Sequence, residues 1–250
     1  MEGGGVLVTG GSRGIGAAIA RLAAARGHDV ALTYRADEAA AAATVAECRK
    51  AGANAVAIQA DTSDEDDIRR MFEEAAATLG TIRHVVNNAG VTGRSGRLDA
   101  TSAAVIRDCI DVNVTGAILV AREAARRLST RHGGPGGSLV NISSVAAGLG
   151  SPGEYVWYAA SKGAIDSLTI GLAKELAAEG VRVNAVSPGL IETDIHALST
   201  GDAGRVARIS PMIPMGRPGQ PAEIAEAVLF LLSGAASYMT GANLVVSGGR

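Results

Sequence analysis

Short runs of β-branched and aliphatic residues alternate with longer helical stretches, and this alternation constrains the fold more than any other feature of the sequence. Strands are predicted at Val6–Thr9, Asp29–Tyr34, Asn54–Gln59, His84–Asn87, Ser138–Ile142, Arg182–Val186 and Asn243–Val246. Helices are predicted near 15–26, 37–51, 64–79, 99–130, 155–179 and 221–232. Several strands are apolar almost without alternation, as expected for strands that are covered on both faces. Because strand–helix–strand repeats need crossover connections, the sequence predicts a doubly wound α/β fold: a seven-stranded, mostly parallel sheet with helices on both faces.

Local signals place the ends of several helices. Ser63 with Asp66 resembles a capping box before the third helix. Gln220-Pro221 puts a proline at the first position of the last helix, where its missing N–H costs nothing. Glycines stand where three of the helices should stop: Gly52, Gly80 and Gly180.

The 250 residues, 47% of them hydrophobic, are enough to bury a large core. With no internal repeat or composition shift, residues 1–250 are predicted to form a single dinucleotide-binding and catalytic domain. The stretch 188–220 is predicted to be a substrate lid, because long loops in compact domains are usually functional. Its apolar residues, which hint at a substrate other than a sugar, are Ile191, Ile195, Leu198, Met212, Ile213 and Met215.

Composition excludes several classes of function. A net charge of −2 argues against nucleic-acid or anionic-membrane binding, and aromatic residues at 3% are too few for base-stacking platforms. The two cysteines and four scattered histidines lack the spacing of a zinc site, so no metal is expected. The N-terminus lacks a signal-peptide pattern, and no stretch offers a clean apolar span of about 20 residues. We therefore expect a soluble, cytoplasmic protein.

A glycine-rich turn follows the first strand and precedes an alanine-rich helix. The residues Thr9–Gly16 read T-G-x-x-x-G-x-G, and such glycines let a backbone approach a pyrophosphate closely. The free N–H groups of the following helix favour the same negative charge. The turn therefore predicts a dinucleotide site, with cofactor contacts from Gly10, Ser12, Arg13, Gly14, Ile15 and Gly16.

The end of the second strand bears on the choice of cofactor. Tyr34 stands where NAD enzymes usually carry a carboxylate for the ribose, and Arg35 follows it. Arg13 and Arg35 would each contribute about 1.5–3 kcal/mol to binding a 2′-phosphate. Together this predicts a roughly hundredfold to ten-thousandfold preference for NADP(H) over NAD(H). Two alternatives remain: both arginines are solvated surface charges, or Asp37 reaches a ribose hydroxyl and NAD(H) is also used.

Tyr158 and Lys162 are four residues apart, so on a helix they share a face. Ser143 and Ser144 end a predicted strand, and ligands bind at the carboxyl ends of parallel strands. A phenol must shift by about three pKa units to exchange a proton near neutral pH, which needs roughly 4 kcal/mol. An ammonium about 4 Å away supplies that order of energy at an effective dielectric constant of about 20. Tyr158 is thus a candidate acid/base and Lys162 its support, although a tyrosine that only packs its ring would give the same spacing.

Several motifs in order along the chain resemble those of the short-chain dehydrogenase/reductase family, in its short single-domain branch with a Rossmann fold. The matching segments are Thr9–Gly16, Asp61-Thr62, Asn87–Gly90, Asn113, Asn141–Ser144, Tyr158–Lys162, Asn184–Gly189 and Met239–Gly241. The resemblance covers essentially the whole chain. It implies an oxidoreductase that forms a homotetramer.

The resemblance also implies roles for individual residues. Ser144 would be the catalytic serine, Tyr158 the general acid/base, and Lys162 the residue that binds the nicotinamide ribose and lowers the pKa of the tyrosine. Asn113 would kink its helix and hold a water that links Lys162 to solvent. Asp61 would bind the adenine amine. The remaining implied cofactor contacts are Thr62, Asn88, Ala89, Gly90, Pro188, Gly189, Ile191 and Thr193.

Three features depart from the family pattern. Ser144 and Tyr158 are fourteen positions apart, one more than is common, and the loop 151–154 is expected to absorb the extra residue. Tyr155 has no lysine four positions on, so it is not the acid/base. Ser247 stands where relatives usually carry an aspartate, which weakens inferences about C-terminal contacts.

Within the family, the sequence resembles 3-oxoacyl-carrier-protein reductases and glucose 1-dehydrogenases about equally. The first activity needs a basic surface for an acidic carrier protein. Four arginines offer one, although they also fit a solvated helix face: Arg122, Arg126, Arg127 and Arg131. The leading hypothesis is hydride transfer between NADP(H) and a small-molecule secondary alcohol or ketone. The alternative from another class is a sensor that binds NADP without turnover.

Overall fold

The computed structural model describes residues 4–193, 199–201 and 204–250. Its strands are β1 (Gly5–Val8), β2 (Val30–Tyr34), β3 (Ala55–Gln59), β4 (Ile82–Asn87), β5 (Gly137–Ile142), β6 (Val181–Pro188) and β7 (Asn243–Val246). Its helices are α1 (Gly14–Ala25), α2 (Glu38–Lys50), α3 (Glu65–Leu79), α4 (Ala103–Ile110), α5 (Ala117–Leu128), α6 (Ala146–Leu149), α7 (Val156–Leu176), α8 (Arg205–Ile209) and α9 (Pro221–Leu232). Each predicted strand is present, with its ends shifted by at most two residues.

In the described part of the chain, seven strands form one sheet in the order β3-β2-β1-β4-β5-β6-β7. Every neighbouring pair is parallel. The predicted doubly wound α/β fold is therefore confirmed, with all strands parallel. The chain winds outwards from β1 to β3, then crosses back to β4 on the other side of β1. Ligands of open α/β sheets bind beside the carboxyl ends of the strands at such a reversal.

Each face of the sheet is buried in its own hydrophobic core. Val6 and Val8 of β1 lie in the core covered by α1, α2 and α9, whereas Leu7 lies in the core covered by α3, α5 and α7. Successive side chains of a strand point to opposite faces, so a strand between two helical layers needs apolar residues at every position. This explains why the strands show so little alternation in the sequence.

Two predictions of helix boundaries are wrong. Asp64, not Ser63, caps α3, since its Oδ1 accepts hydrogen bonds from the N–H groups of Asp66 and Asp67 at 2.8 and 3.0 Å. The single helix predicted at 99–130 is a 3₁₀ turn at Leu98–Ala100, then α4, a π-helical turn at Asp111–Gly116, and α5.

Other predicted boundaries are confirmed. Pro221 is the first residue of α9, and Gln220 and Glu223 complete a capping box there. The three glycines that follow helices all have positive φ, at 92° for Gly52, 73° for Gly80 and 75° for Gly180. Backbone of this kind favours glycine.

The segment from 188 to 220 is not irregular throughout. It contains α8 and a 3₁₀ turn at Ser210–Met212, and Ile191 forms a parallel bridge with Gly219. Of its apolar residues, Ile213 is buried and Met212 and Met215 are exposed, while Ile195 and Leu198 lie outside the described residues. Among the helices that the structure describes, none has the length and apolar character needed to cross a membrane.

Candidate active site

A cavity of about 890 Å³ opens where β1, β2, β4, β5 and β6 end. Its walls include every cofactor residue predicted from the sequence, together with Ser144. Those cofactor residues are Gly10, Ser12, Arg13, Gly14, Ile15, Gly16, Tyr34, Arg35, Asp61, Thr62, Asn88, Ala89, Gly90, Tyr158, Lys162, Pro188, Gly189, Ile191 and Thr193. Asn113 does not line the cavity; it lies behind Gly90. The sequence motifs therefore converge on one site.

Close packing explains the glycines of the β1–α1 turn. Gly10 and Gly14 have φ values of +63° and +54°. A Cβ atom at Gly16 would lie 2.3 Å from the Gly10 carbonyl oxygen and 2.6 Å from Asn88 Nδ2. Asn88 Nδ2 in turn donates to the carbonyl oxygens of Thr9 and Gly10 at 2.8 and 3.0 Å. Asn88, at the end of β4, therefore holds the turn open at the start of α1.

The start of α1 has the properties of an anion site. Arg13, its N-cap, has extended backbone, and among the described residues no side chain caps the helix or places an acid in its first turn. The first N–H groups of a helix lack partners within the helix and carry the positive end of its dipole. Here they border the cavity through Gly14, Ile15 and Gly16. This backbone fits a pyrophosphate.

Two arginine side chains line the cavity beside the ends of β1 and β2. Arg13 and Arg35 are exposed and line it, and neither forms an ion pair among the described residues. The sequence left open that Asp37 contacts a ribose hydroxyl. In the structure its carboxylate accepts a hydrogen bond from the Ala40 N–H at 3.0 Å, as the N-cap of α2. Asp61 Oδ1 accepts from the backbone N–H of Ser63 at 2.9 Å and from its hydroxyl. Arg13 and Arg35 thus place two positive charges on this wall of the cavity.

Tyr158, Ser144 and Lys162 meet on one wall of the cavity. The Ser144 hydroxyl lies close enough to the Tyr158 hydroxyl to act on its pKa, and both side chains line the cavity beyond the end of β5. Lys162, one turn further along α7, is buried, and its Nζ donates to the Ile142 carbonyl oxygen at 2.8 Å. Nζ lies 5.6 Å from the centroid of the Tyr158 ring. Ser143 also lines the cavity, but its hydroxyl donates to the Lys162 carbonyl oxygen.

The electrostatic effect of burial differs from the sequence-based expectation. Burial raises the pKa of Tyr158 to about 12, while the hydrogen bond with Ser144 acts in the opposite direction. Burial lowers the pKa of Lys162 to about 8. Desolvation therefore dominates the pKa of Tyr158 in this structure, and the expectation that Lys162 lowers that pKa stays a prediction.

Asn113 lies in the π-helical turn and connects three elements. Its Oδ1 accepts from the Val91 N–H, and its Nδ2 donates to the Val91 carbonyl oxygen, both at 2.8 Å. Nδ2 also lies 3.1 Å from Ser161 Oγ on α7. A Cβ atom at Gly90 would lie 3.2 Å from Asn113 Oδ1 and 3.6 Å from Lys162 Nζ. Asn113 therefore fixes the loop after β4 against the helix that carries Tyr158 and Lys162.

Sequence reasoning missed several residues of the cavity wall. Glu154, Tyr155 and Arg205 line the cavity beside Tyr158 and contact one another. We call this part of the cavity the substrate end. Glu154 and Arg205 are far apart in the sequence, and no spacing rule links them. Leu149 and Met212, both exposed, and the C-terminal Arg250 also border the cavity. Only the apolar character of 188–220 hinted at this wall.

Comparisons with known proteins agree with this geometry. A family model described as "Enoyl-(Acyl carrier protein) reductase" matches residues 10–250. The "Uncharacterized oxidoreductase YgfF" of Escherichia coli K12 is 48% identical over 98% of this chain and 98% of its own length. The "3beta-hydroxysteroid dehydrogenase 1" of Eggerthella lenta is 39% identical over 100% of this chain and 94% of its own.

A solved structure extends the similarity to three dimensions. A short-chain dehydrogenase from Burkholderia cenocepacia, crystallised in complex with NADP, superposes with a TM-score of 0.90. It is 36% identical, and the match covers 98% of this chain and 96% of that one. By family model, sequence identity and fold together, the chain belongs to the short-chain dehydrogenase/reductase family and is an oxidoreductase acting on CH–OH groups.

Proposed function

We propose that the protein transfers a hydride between NADP(H) and a secondary alcohol or ketone. The proposal rests on one observation: a pair of hydroxyl side chains and a glycine turn suited to a dinucleotide line the same cavity. The neighbouring side chains of Ser144 and Tyr158 lie on one wall, and the glycine turn at the start of α1 lies on another. An enzyme of this class needs both, because the proton donor must stand beside the carbonyl oxygen while the nicotinamide stands beside the carbon that receives the hydride.

The cofactor residues have distinct tasks in this proposal. The N–H groups at the start of α1 bind the pyrophosphate, Asp61 and Thr62 lie at the adenine end, and Lys162 binds the nicotinamide ribose. When bound, the nicotinamide supplies or accepts the hydride. The residues proposed to flank the nicotinamide ring are Pro188, Gly189, Ile191 and Thr193. Asn113, which is outside the cavity, keeps Lys162 and the Asn88–Val91 loop in place.

The pair of hydroxyl groups handles the proton. Ser144 donates a hydrogen bond to the substrate oxygen and holds it, and Tyr158 gives that oxygen a proton as hydride arrives at the carbon. With its pKa raised to about 12, Tyr158 is protonated at neutral pH, as a proton donor must be. Ketone reduction is therefore the direction that we propose.

We also propose that NADP(H) is preferred over NAD(H). Arg13 and Arg35 offer two guanidinium groups to a 2′-phosphate, and Asp37 is engaged in capping α2. Charge-assisted hydrogen bonds of this kind are among the strongest in proteins. The Burkholderia structure with NADP is consistent with this preference.

The proposed substrate is an apolar ketone. Leu149 and Met212 border the cavity although 49% and 68% of their surface is exposed, so an apolar substrate would cover them. A role as a carrier-protein reductase draws less support, because the four arginines around α5 all pair with acids of the same chain. Arg122 pairs with Glu65, Arg126 and Arg127 with Glu123, and Arg131 with Glu179.

Tyr158→Phe tests the assignment. We expect carbonyl reduction to fall about 10²–10⁴-fold, the usual contribution of a general acid, while NADPH binding stays within about twofold of wild type. The assay follows NADPH and NADH absorbance separately over a panel of acetoacetyl thioesters, quinones, diketones, 3-ketosteroids and, in reverse, sugars. Tyr238→Phe, at a fully exposed site, is the matched control.

The same assay separates the competing functions. Wild-type protein that binds NADPH but reduces no compound of the panel would favour the sensor. Tyr158→Phe that retains wild-type turnover would remove the assigned acid. A more than tenfold preference for NADH would overturn the roles of Arg13 and Arg35.

Three further expectations belong to the proposal: residues 1–250 act as a single domain, the protein is cytoplasmic, and it forms a homotetramer. Light scattering after gel filtration measures the tetramer directly. Cell fractionation measures the location. Calorimetry with a single unfolding transition is the expected result for one domain.

A further inference from the structure

A charged cluster lies at the substrate end of the cavity and has no part in the proposed chemistry; its arginine and tyrosine are buried, and the Glu154 side chain is 37% exposed. Arg205, the first residue of α8, is only 3% exposed. Its Nη2 donates to Glu154 Oε2 at 2.6 Å and to the Tyr155 hydroxyl at 2.5 Å, and its Nε lies 3.4 Å from Glu154 Oε1. All three side chains line the cavity.

The cluster reaches the proposed acid through direct ring contact. Tyr155 is the residue before α7, and its ring meets the ring of Tyr158 edge-on, with centroids 5.5 Å apart and an interplanar angle of 87°. The Arg205 Cζ atom lies over the Tyr155 ring, 5.5 Å from its centroid. A cation in this position is attracted by the ring electrons. Moving the guanidinium therefore moves the surface against which Tyr158 packs.

The cluster also fixes the opposite wall. The helix α8 has five residues, too few to be stable without tertiary contacts. It carries Ile209, and Met212 follows it in the next turn; both line the cavity. The ion pair with Glu154 ties the first residue of this segment to the loop that precedes Tyr158. That pair is thus one of the contacts that set the width of the substrate end, together with the packing of Ile209 against Leu190 and Ile213.

We propose that Arg205 is a positioning and specificity-determining residue, held by Glu154 and Tyr155, and that it fits this cavity to uncharged ketones. This rests on the proposed reductase function and names its substrate class more closely. Because Glu154 already compensates the guanidinium, a substrate carboxylate gains little from Arg205 and meets the negative charge of Glu154. A neutral carbonyl compound meets neither effect.

The first test is a change of charge. Glu154→Gln keeps the size and a hydrogen-bond acceptor for Arg205 but removes the negative charge of Glu154. We expect the ratio of kcat/KM for ethyl acetoacetate over acetoacetate to fall about tenfold or more. Where either compound is not reduced, its competitive inhibition constant against the best neutral ketone gives the same ratio. A general loss of structure would lower both values together and leave the ratio unchanged.

The second test separates positioning from folding. Arg205→Met is expected to raise KM for a neutral ketone about tenfold, with kcat within about threefold of wild type and NADPH binding within about twofold. Arg205→Lys keeps the cation, so it should recover part of the KM. Arg217→Met is the matched control, since the half-exposed Arg217–Glu223 pair lies in the same connecting segment and does not line this cavity.

A third readout does not need turnover. Trp157, the single tryptophan of the chain, packs in a small core with Tyr155 and Cys109 and donates from Nε1 to the Thr92 carbonyl oxygen at 2.8 Å. We expect its emission maximum to shift in Arg205→Met, to shift back towards wild type in Arg205→Lys, and to stay unchanged in Arg217→Met.

These readouts distinguish two failures. Wild-type protein that reduces no carbonyl compound would remove the proposed function, while the emission of Trp157 would still report whether Arg205 holds the wall. An unchanged ester-to-acid ratio in Glu154→Gln, with kcat/KM for ethyl acetoacetate near the wild-type value, would overturn the specificity role. An unshifted emission in Arg205→Met would overturn the positioning role.

Discussion

Protonation of one buried histidine should set the acid limit of stability. His84 of β4 is 9% exposed, and among the described residues its Nδ1 has no hydrogen-bond partner. Burial lowers its pKa from 6.5 to about 4, and the nearby charges of His28, Arg182 and Arg83 act in the same direction. The His28 ring stands edge-on to it at 5.4 Å. The folded protein therefore resists protonation of His84 across a pH range in which the unfolded chain accepts the proton.

The size of the effect follows from linkage. Above about pH 6.5 both states are neutral at His84 and nothing is lost. Below that value the unfolded state binds the proton first, so the free energy of unfolding falls by up to about 1.4 kcal/mol per pH unit, until the folded state also binds it near pH 4. The total is about 3 kcal/mol, of which about 1 kcal/mol is lost between pH 7.5 and 5.5.

Urea unfolding of the wild type and of His84→Gln at pH 7.5, 6.5 and 5.5 measures this term. The variant is expected to start less stable, because it disturbs a buried site, but to lose about 1 kcal/mol less than the wild type over this pH range. The control is His132→Gln, at an exposed position, which should follow the wild-type pH dependence. Equal pH dependence in wild type and His84→Gln would refute the assignment of the acid sensitivity to His84.

Three other perturbations address the site. Replacing Arg13 and Arg35 together with serine should weaken NADPH binding about a hundredfold to ten-thousandfold, with NADH binding nearly unchanged, by fluorescence titration. Gly16→Ala should abolish NADPH binding in the same titration, because its Cβ would meet the Gly10 carbonyl oxygen at 2.3 Å, whereas Gly163→Ala, with open space around it, should bind normally. Carbonyl reduction by the wild type should fall above about pH 8, where Lys162 loses its proton; Lys162→Met should be slow at every pH and show no such fall.

The strands could be predicted from the sequence because both faces of the sheet are buried. Val6, Leu7 and Val8 face alternate cores, so every position of β1 must be apolar, and the sequence displays that requirement directly. The glycine turn and the Tyr158–Lys162 pair could be found for a similar reason: each is a local pattern whose chemistry needs fixed spacing. In these places, short-range sequence determines the structure.

The break between α4 and α5 could not be predicted, because long-range contacts impose it. Within the π-helical turn, Asn113 bonds to Val91 and Ser161, and a Cβ at Gly116 would lie 2.2 Å from the Thr62 carbonyl oxygen. Local helix propensity contains none of this information. The Glu154–Arg205 pair was missed on the same grounds, since its partners are brought together only by the fold.

The proton chemistry is the point at which sequence reasoning was least sufficient. The spacing of Tyr158 and Lys162 suggests a tyrosine made acidic by an ammonium, but the structure buries the phenol and directs Nζ to Ile142. From a pKa of about 12, ionising Tyr158 at neutral pH costs about 7 kcal/mol even with Lys162 in place. Alcohol oxidation needs Tyr158 to have lost its phenol proton before it can accept one from the alcohol. Oxidation therefore needs a further positive charge beside the phenol. Ketone reduction starts with the proton in place, so the same burial that hinders oxidation supplies a ready donor for reduction.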